Sequence, residues 1–239
     1  MEHFRRQPRL MKTIAILLGA LLAPLASLTA QDETRPVKFR VLCYEHVKDT
    51  VTGFVTGGGG DKLEVSFYTG GFGPQMTGQF AGGKVRFFEE KPGPEGKMVR
   101  TVIAEGNLGN SPEQMFFLLP ETKPGLPIYR VLAFDDQEKA FPMGATRVVN
   151  LAPFKIRLNL AGKDLEPIEP GGMAVYPQVK VADEWNMFTA RIDFFAKDQW
   201  IQVAKQSWKA SDRKRDWVIT QIEPATNSPT LRLYQDIPP

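Results

Sequence analysis

The chain has 239 residues, with 30 Lys and Arg against 27 Asp and Glu, 42% hydrophobic and 24% charged residues. These ordinary globular values exclude a disordered chain, a collagen-like repeat and a multi-span membrane protein. Residues 1–30 hold Arg5, Arg6, Arg9 and Lys12 against Glu2 alone, which is the whole formal excess of +3. The remainder is neutral. It lacks the basic surplus with which nucleic-acid binders displace counterions from phosphates, so no nucleic-acid partner is expected.

The first element in chain order is a positive stretch, an apolar run over residues 13–24 and small residues up to Ala30. That order predicts a secretory signal peptide over residues 1–30, cleaved after Ala30, and an exported protein of the periplasm or extracellular space. Met11 and Lys12 would themselves open a compact leader. Pro24 and the short apolar core argue against a retained anchor, and no Cys follows for lipid attachment. No later segment reaches the ~20 apolar residues of a membrane span.

From residue 36 onward the pattern is β. Apolar–polar alternation predicts strands near 37–47, 51–56, 62–69, 75–80, 84–90, 97–105, 114–119 and 127–134. The glycine run at 57–60 lacks the Lys-Ser/Thr ending of a phosphate loop and reads as a hairpin turn. Asp135, Asp136 and Glu138 read as a solvated turn rather than a cation site or acid pair. Further strands are predicted near 145–150, 154–161, 164–168, 173–180, 187–196, 199–208, 216–223 and 230–235. Lys209, Arg213, Lys214 and Arg215, diluted by Asp212 and Asp216, read as a solvated loop. No segment of ten or more residues prefers a helical period. Short strands at this spacing indicate sandwiches or barrels. The expectation is an all-β fold: two antiparallel β-sandwich domains of the immunoglobulin-like kind, 36–136 and 145–239, divided near 136–144. Arg-Val-Leu at 40–42 and 130–132 and Arg-Val-Val at 147–149 hint at a repeat between the halves.

Beyond the leader there is one Cys, Cys43, and one His, His46. An intrachain disulfide, a Cys/His zinc site, a two-His copper site and a c-type haem site all lack ligands. No G-x-S-x-G is present. Residues three apart on a strand point to opposite faces, so Cys43 and His46 make a poor nucleophile pair. No catalytic residue set, metal or cofactor is expected, and the leading reading is a non-enzymatic exported binding or cell-envelope module.

One face of a hairpin turning at Lys197 and Asp198 is the candidate ligand site. Simple pairing sets Phe195 opposite Trp200, Asp193 opposite Gln202, Arg191 opposite Ala204, Thr189 opposite Gln206 and Met187 opposite Trp208. Trp200, Trp208, Phe195 and Met187 would then supply apolar area at both ends. Arg191, Asp193, Gln202 and Gln206 would give direction in the middle. Such a face suits a sugar chain or peptide, so a cell-envelope polysaccharide or protein is the expected partner. The alternative is that the face is covered and its aromatic pairs only stabilise the hairpin.

The stretch from Asn150 through Pro153, Phe154, Gly162, Lys163 and Leu165 to Gly171 has a recognisable phrasing. It resembles a family of exported bacterial β-sandwich proteins of unknown function, over about residues 141–223, and that resemblance implies a fold and no activity. The same phrase is similar to the second-domain opening of periplasmic pilus chaperones, which have two immunoglobulin-like domains; no residues are carried over. Two further functions therefore stand beside the binding module. One is a carbohydrate-active enzyme with two carboxylates converging ~5–9.5 Å apart. The other is a chaperone that donates a strand to an open sheet.

Overall fold

A computed structural model describes residues 34–223 and 226–237, apart from the Glu95 side chain. The expected leader lies outside the described residues. Sixteen strands are present, as the alternation predicts: β1 (Thr34–Cys43), β2 (Thr52–Gly57), β3 (Lys62–Ser66), β4 (Met76–Ala81), β5 (Lys84–Pro92), β6 (Met98–Asn107), β7 (Glu113–Pro120), β8 (Tyr129–Asp135), β9 (Thr146–Asn150), β10 (Ile156–Leu160), β11 (Lys163–Asp164), β12 (Met173–Tyr176), β13 (Met187–Ala196), β14 (Gln199–Lys209), β15 (Arg215–Glu223) and β16 (Ser228–Asp236). The one helical turn among the described residues is a 3-10 turn at Pro94–Gly96. No helix of the described residues is long and apolar enough to cross a membrane.

The first half is a barrel, not the expected sandwich. Its strands run in the order β2-β4-β1-β7-β8-β6-β5, and β5 returns to β2 to close a ring of seven, with β3 attached to β2. The closing contact is the single pair Phe54–Phe88. Alternation marks one buried face and one wet face, which a sandwich strand and a barrel strand share, so the sequence pattern does not separate them. Five phenylalanines fill the interior. Phe116 stacks on Phe39 at 5.2 Å and meets Phe80 and Phe87 edge-on at 5.5 and 6.2 Å, and Phe67 meets Phe87 at 5.5 Å. Gly106 lets β6 come close to β8: a Cβ there would lie 2.1 Å from the Val131 carbonyl oxygen.

The second half consists of two four-stranded sheets, β11-β10-β13-β14 and β12-β9-β15-β16. Ile156, Leu158, Phe188, Ile192, Phe194 and Trp208 from the first meet Val148 and Val218 from the second in one core. The turns at Ala161-Gly162 and Lys197-Asp198 have positive φ at both residues, as two-residue hairpins of right-handed twist require. Neither half is purely antiparallel. β1 and β7, β6 and β8, and β9 and β15 run parallel, because long connections free these pairs from the reversal that a hairpin imposes.

A third core joins the halves. Leu42, Tyr44, Met115, Phe117 and Leu119 on the outside of the barrel pack with Val149, Trp217, Ile219 and Tyr234 of the β9/β15/β16 sheet. The described chain accordingly belongs to one compact unit. In β7, Gln114–Leu119 are all buried, as are all of β9 and Arg215–Thr220 of β15. Strands covered on both faces lose the wet row of an amphipathic strand, which is why Met115 to Leu119 read as an uninterrupted apolar run.

Candidate functional site

The outer face of β10, β13 and β14 carries most of the residues singled out by the sequence. Inward side chains alternate as Ile156, Leu158 and Leu160 in β10 and as Phe188, Ala190, Ile192 and Phe194 in β13. The intervening residues Arg157, Asn159, Arg191, Asp193 and Phe195 therefore face out. Near the turn, Phe195 lies opposite Trp200 and Asp193 opposite Gln202, as simple pairing predicts. A bulge then intervenes: Ile192 lies opposite Ala204, and Val203 is left without a partner. One extra residue turns every later side chain of β14 over.

The bulge corrects the far end of the expected face. Trp208 lies opposite Phe188 with ring centroids 6.3 Å apart and is 5% exposed, within the core. Gln206 lies opposite Ala190, on the Trp208 side of the strand, and accepts a hydrogen bond from Trp208 Nε1 at 3.2 Å. Met187 lies opposite Lys209, and Arg191 opposite Lys205. Trp200, Phe195, Met187, Arg191, Asp193 and Gln202 thus share the outer face, although Asp193 is buried at 3% exposure between its arginine partners, and Trp208 and Gln206 do not share it.

The charges on this face are organised into a ring. Arg157 binds Asp193 at 2.9 Å and Asp164 at 3.4 Å, while Arg191 binds the same two carboxylates at 3.0 Å each. Asn159 donates to Asp164 at 2.6 Å. That hydrogen bond, with the charges of Arg157 and Arg191, holds the Asp164 carboxyl below its usual range. The Arg157 guanidinium lies 4.5 Å over the Trp200 ring, which also meets Phe195 at 5.2 Å. Trp200 is therefore positioned as a rigid platform at one end. At the other end a groove of about 540 Å³ crosses the face, lined by Arg191, Gln202, Lys205 and Met187 and walled by Val181–Asp183. The Asp183 carboxylate accepts from the backbone N–H groups of Trp185 and Met187 at 2.9 and 2.7 Å. This turn fixes the wall and leaves Trp185 71% exposed and Val181 75% exposed. The hairpin alone gave no reason to look at residues 181–185.

A second cavity of about 670 Å³ lies between the barrel and the second half. Its floor is a buried ion cluster. Arg40 donates to Asp136 at 2.7 and 2.9 Å and to Asp236 at 2.7 and 2.9 Å. Arg215 donates to Asp136 at 3.1 Å and to Asp236 at 2.9 Å. Every carboxylate oxygen of the two aspartates thus accepts from a guanidinium. Burial raises the Asp136 carboxyl above its usual value against the pull of both arginines. Burial acts the same way on Asp236, but hydrogen bonding and charge from Arg40, with Arg215, bring it below its usual value. Nearby, Lys214 binds Asp216 at 2.5 Å, and both are buried. The readings of Asp136 and of Lys214, Arg215 and Asp216 as solvated are therefore wrong. The sequence shows them as charges near turns, and their partners lie up to 96 positions away.

Cys43 and His46 have separate hydrogen-bond partners. Cys43 ends β1, is fully buried and donates to the Glu45 carbonyl at 3.2 Å, and burial pushes its thiol up to about 11. His46 Nε2 lies 2.7 Å from the Phe67 carbonyl oxygen. No group of three or more His, Cys, Asp or Glu among the described residues is arranged to hold a metal ion. No protein-family model matches the sequence, and no curated protein matches it significantly.

Proposed function

We propose that this chain is an exported binding module without catalytic activity, and that it holds an extended cell-envelope polysaccharide along the outer face of β10, β13 and β14. The observation that carries this reading is the alignment on one face of the Trp200 platform, the Arg157–Asp193–Arg191–Asp164 ring and the groove at Met187. Residues 187–195 span roughly 26 Å at ~3.3 Å per residue, room for several sugar units. Aromatic platforms supply contact area, and amides and charges already fixed by one another supply direction at little ordering cost. The two facing sheets of the second half are the part of the fold that we read as the immunoglobulin-like sandwich.

The two-carboxylate enzyme has less support. Of the four acids that line the second cavity, Glu113, Glu138, Asp136 and Asp236, the two buried ones have every oxygen hydrogen-bonded to Arg40 or Arg215, which ties them to the arginines rather than to a water or glycosidic oxygen. Strand addition is the second reading. The far edge of β14 pairs with no strand among the described residues, and residues 199–204 carry neither charge nor proline, so the edge lacks two common protections.

The test is a calorimetric titration of the exported form with soluble envelope polysaccharides, using Trp200→Ala and Trp185→Ala. At least one polysaccharide should bind intact, and Trp200→Ala should weaken it about tenfold, equivalent to ~1.4 kcal/mol. Shortened products by mass spectrometry would establish an enzyme instead. Binding insensitive to both substitutions would remove this face as the site.

A further inference from the structure

A third concavity, of about 650 Å³, lies on another side of the molecule, between β8 of the barrel and the β9/β12 edge. The outward residues of β8 are Arg130, Leu132 and Phe134, since Tyr129 and Val131 point into the barrel core. Leu132 and Phe134 are half-buried, and with Leu151 they pack against the core that joins the halves. Val149 and Leu151 form the opposite wall, and Met173, 50% exposed, stands at the rim. The two layers therefore diverge here, and the shared core opens to solvent through a cleft lined mainly by apolar side chains, with Asn107 and Arg130 as its polar ones. Its volume falls within the ~300–1,000 Å³ usual for small-molecule sites.

Among the described residues, Arg130 is the one charged side chain lining this cleft. Its cross-strand neighbours are Glu105 and Leu119. Glu105 is taken by Arg86 at 2.7 Å, and Arg130 makes no ion pair among the described residues. Arg130 begins the lined stretch of β8 and Phe134 ends it, roughly 13 Å apart at ~3.3 Å per residue. The cleft thus has one cationic end and one apolar end. We propose that it binds a free single-chain fatty acid, with the carboxylate on Arg130 and the acyl chain along Leu132, Phe134 and Leu151. A guanidinium matches a carboxylate with paired N–H donors, and each buried methylene tightens binding about fourfold. This site is independent of the polysaccharide face and does not rest on it.

The experiment is titration calorimetry of the exported form with laurate below its micelle concentration, with octanoate and dodecanol in parallel. Laurate should bind more than tenfold tighter than octanoate. Arg130→Gln should weaken laurate at least tenfold and leave dodecanol unchanged, and Leu132→Asp should abolish both. Should Leu132→Asp fail to fold, Met173→Glu, at an exposed rim position beside Val149, should still weaken laurate by setting a charge in the acyl-chain wall. No laurate binding, or binding indifferent to Arg130→Gln and Met173→Glu, would overturn the proposal. Binding seen only with anionic phospholipid vesicles would assign Arg130 to a membrane surface and overturn it equally.

Discussion

The barrel and the second half are built from strands of the same kind, yet they treat their edges differently. The barrel returns β5 to β2 and closes, leaving β3 as its one appended strand. Its phenylalanine core is sealed, and its best contact surface is spent on the neighbouring sheet. The second half never closes. Its β14 ends one sheet with one neighbouring strand and with ten of its eleven residues, all but Trp208, intermediate or exposed, and no further sheet among the described residues lies over the outer face of β10, β13 and β14. Closure leaves the barrel ring without a free edge, whereas the open sheet keeps one, and the proposed ligand would lie on its face.

The largest effect that probes this contrast comes from the cluster between the halves. Arg215→Ala leaves Asp136 and Asp236 partly unpaired in a buried place, and should cost ~3–5 kcal/mol. Because the joining core is shared, urea unfolding followed by barrel and second-half probes should still shift as one transition. Separation into two transitions would show that the halves are independent.

Asp236→Asn is expected next, and the pH profile distinguishes it from Asp136→Asn. Asp236 titrates below 3.8 when folded, so its stabilisation is present above 3.8 and is lost as pH falls through the lower folded value. Asp136 titrates above 3.8, so its contribution is present below 3.8 and is lost as pH rises through the raised value. Native protein should therefore lose the Asp236 contribution below about pH 4 and the Asp136 contribution as pH rises above it. Asp236→Asn should remove that acid step, and Asp136→Asn should cost less at neutral pH. The check is urea unfolding repeated from acid to neutral pH.

A smaller effect tests the close approach of β6 and β8 in the barrel. Gly106→Ala drives a Cβ against the Val131 carbonyl, and should destabilise the barrel by ~1–3 kcal/mol. Equal stability would mean that β6 and β8 approach less closely than described. Trp185→Phe should leave stability unchanged and remove the larger part of the acrylamide-quenchable fluorescence, leaving that of the partly exposed Trp200, since Trp185 is 71% exposed, Trp208 5% and Trp217 0%.

The strands were legible in the sequence because alternation is a local property, and each of the sixteen was readable within a few residues of its place. What alternation does not carry is partnership. The Phe54–Phe88 pair that closes the barrel joins residues whose neighbours look like those of any half-buried strand. The bulge at Val203 adds one residue to a run, Gln202 to Gln206, that alternates acceptably in either frame, so Trp208 was placed on the wrong face. Asp136 and Arg215 look like turn charges until the fold brings them together across 79 positions. The Trp200 end of the candidate face was legible because it lies next to a two-residue turn, where register is fixed locally.

Native-state hydrogen exchange tests most directly the claim that a doubly covered central layer carries an open, ligand-accessible edge. Amides of β7, β9 and β15 should exchange slowest, and all with one opening free energy, because exposing them requires global unfolding. Amides of β14 that point away from β13 should exchange fastest among the strands. Protection of those β14 amides equal to that of β15, or separate opening free energies for β7 and β15, would contradict the account.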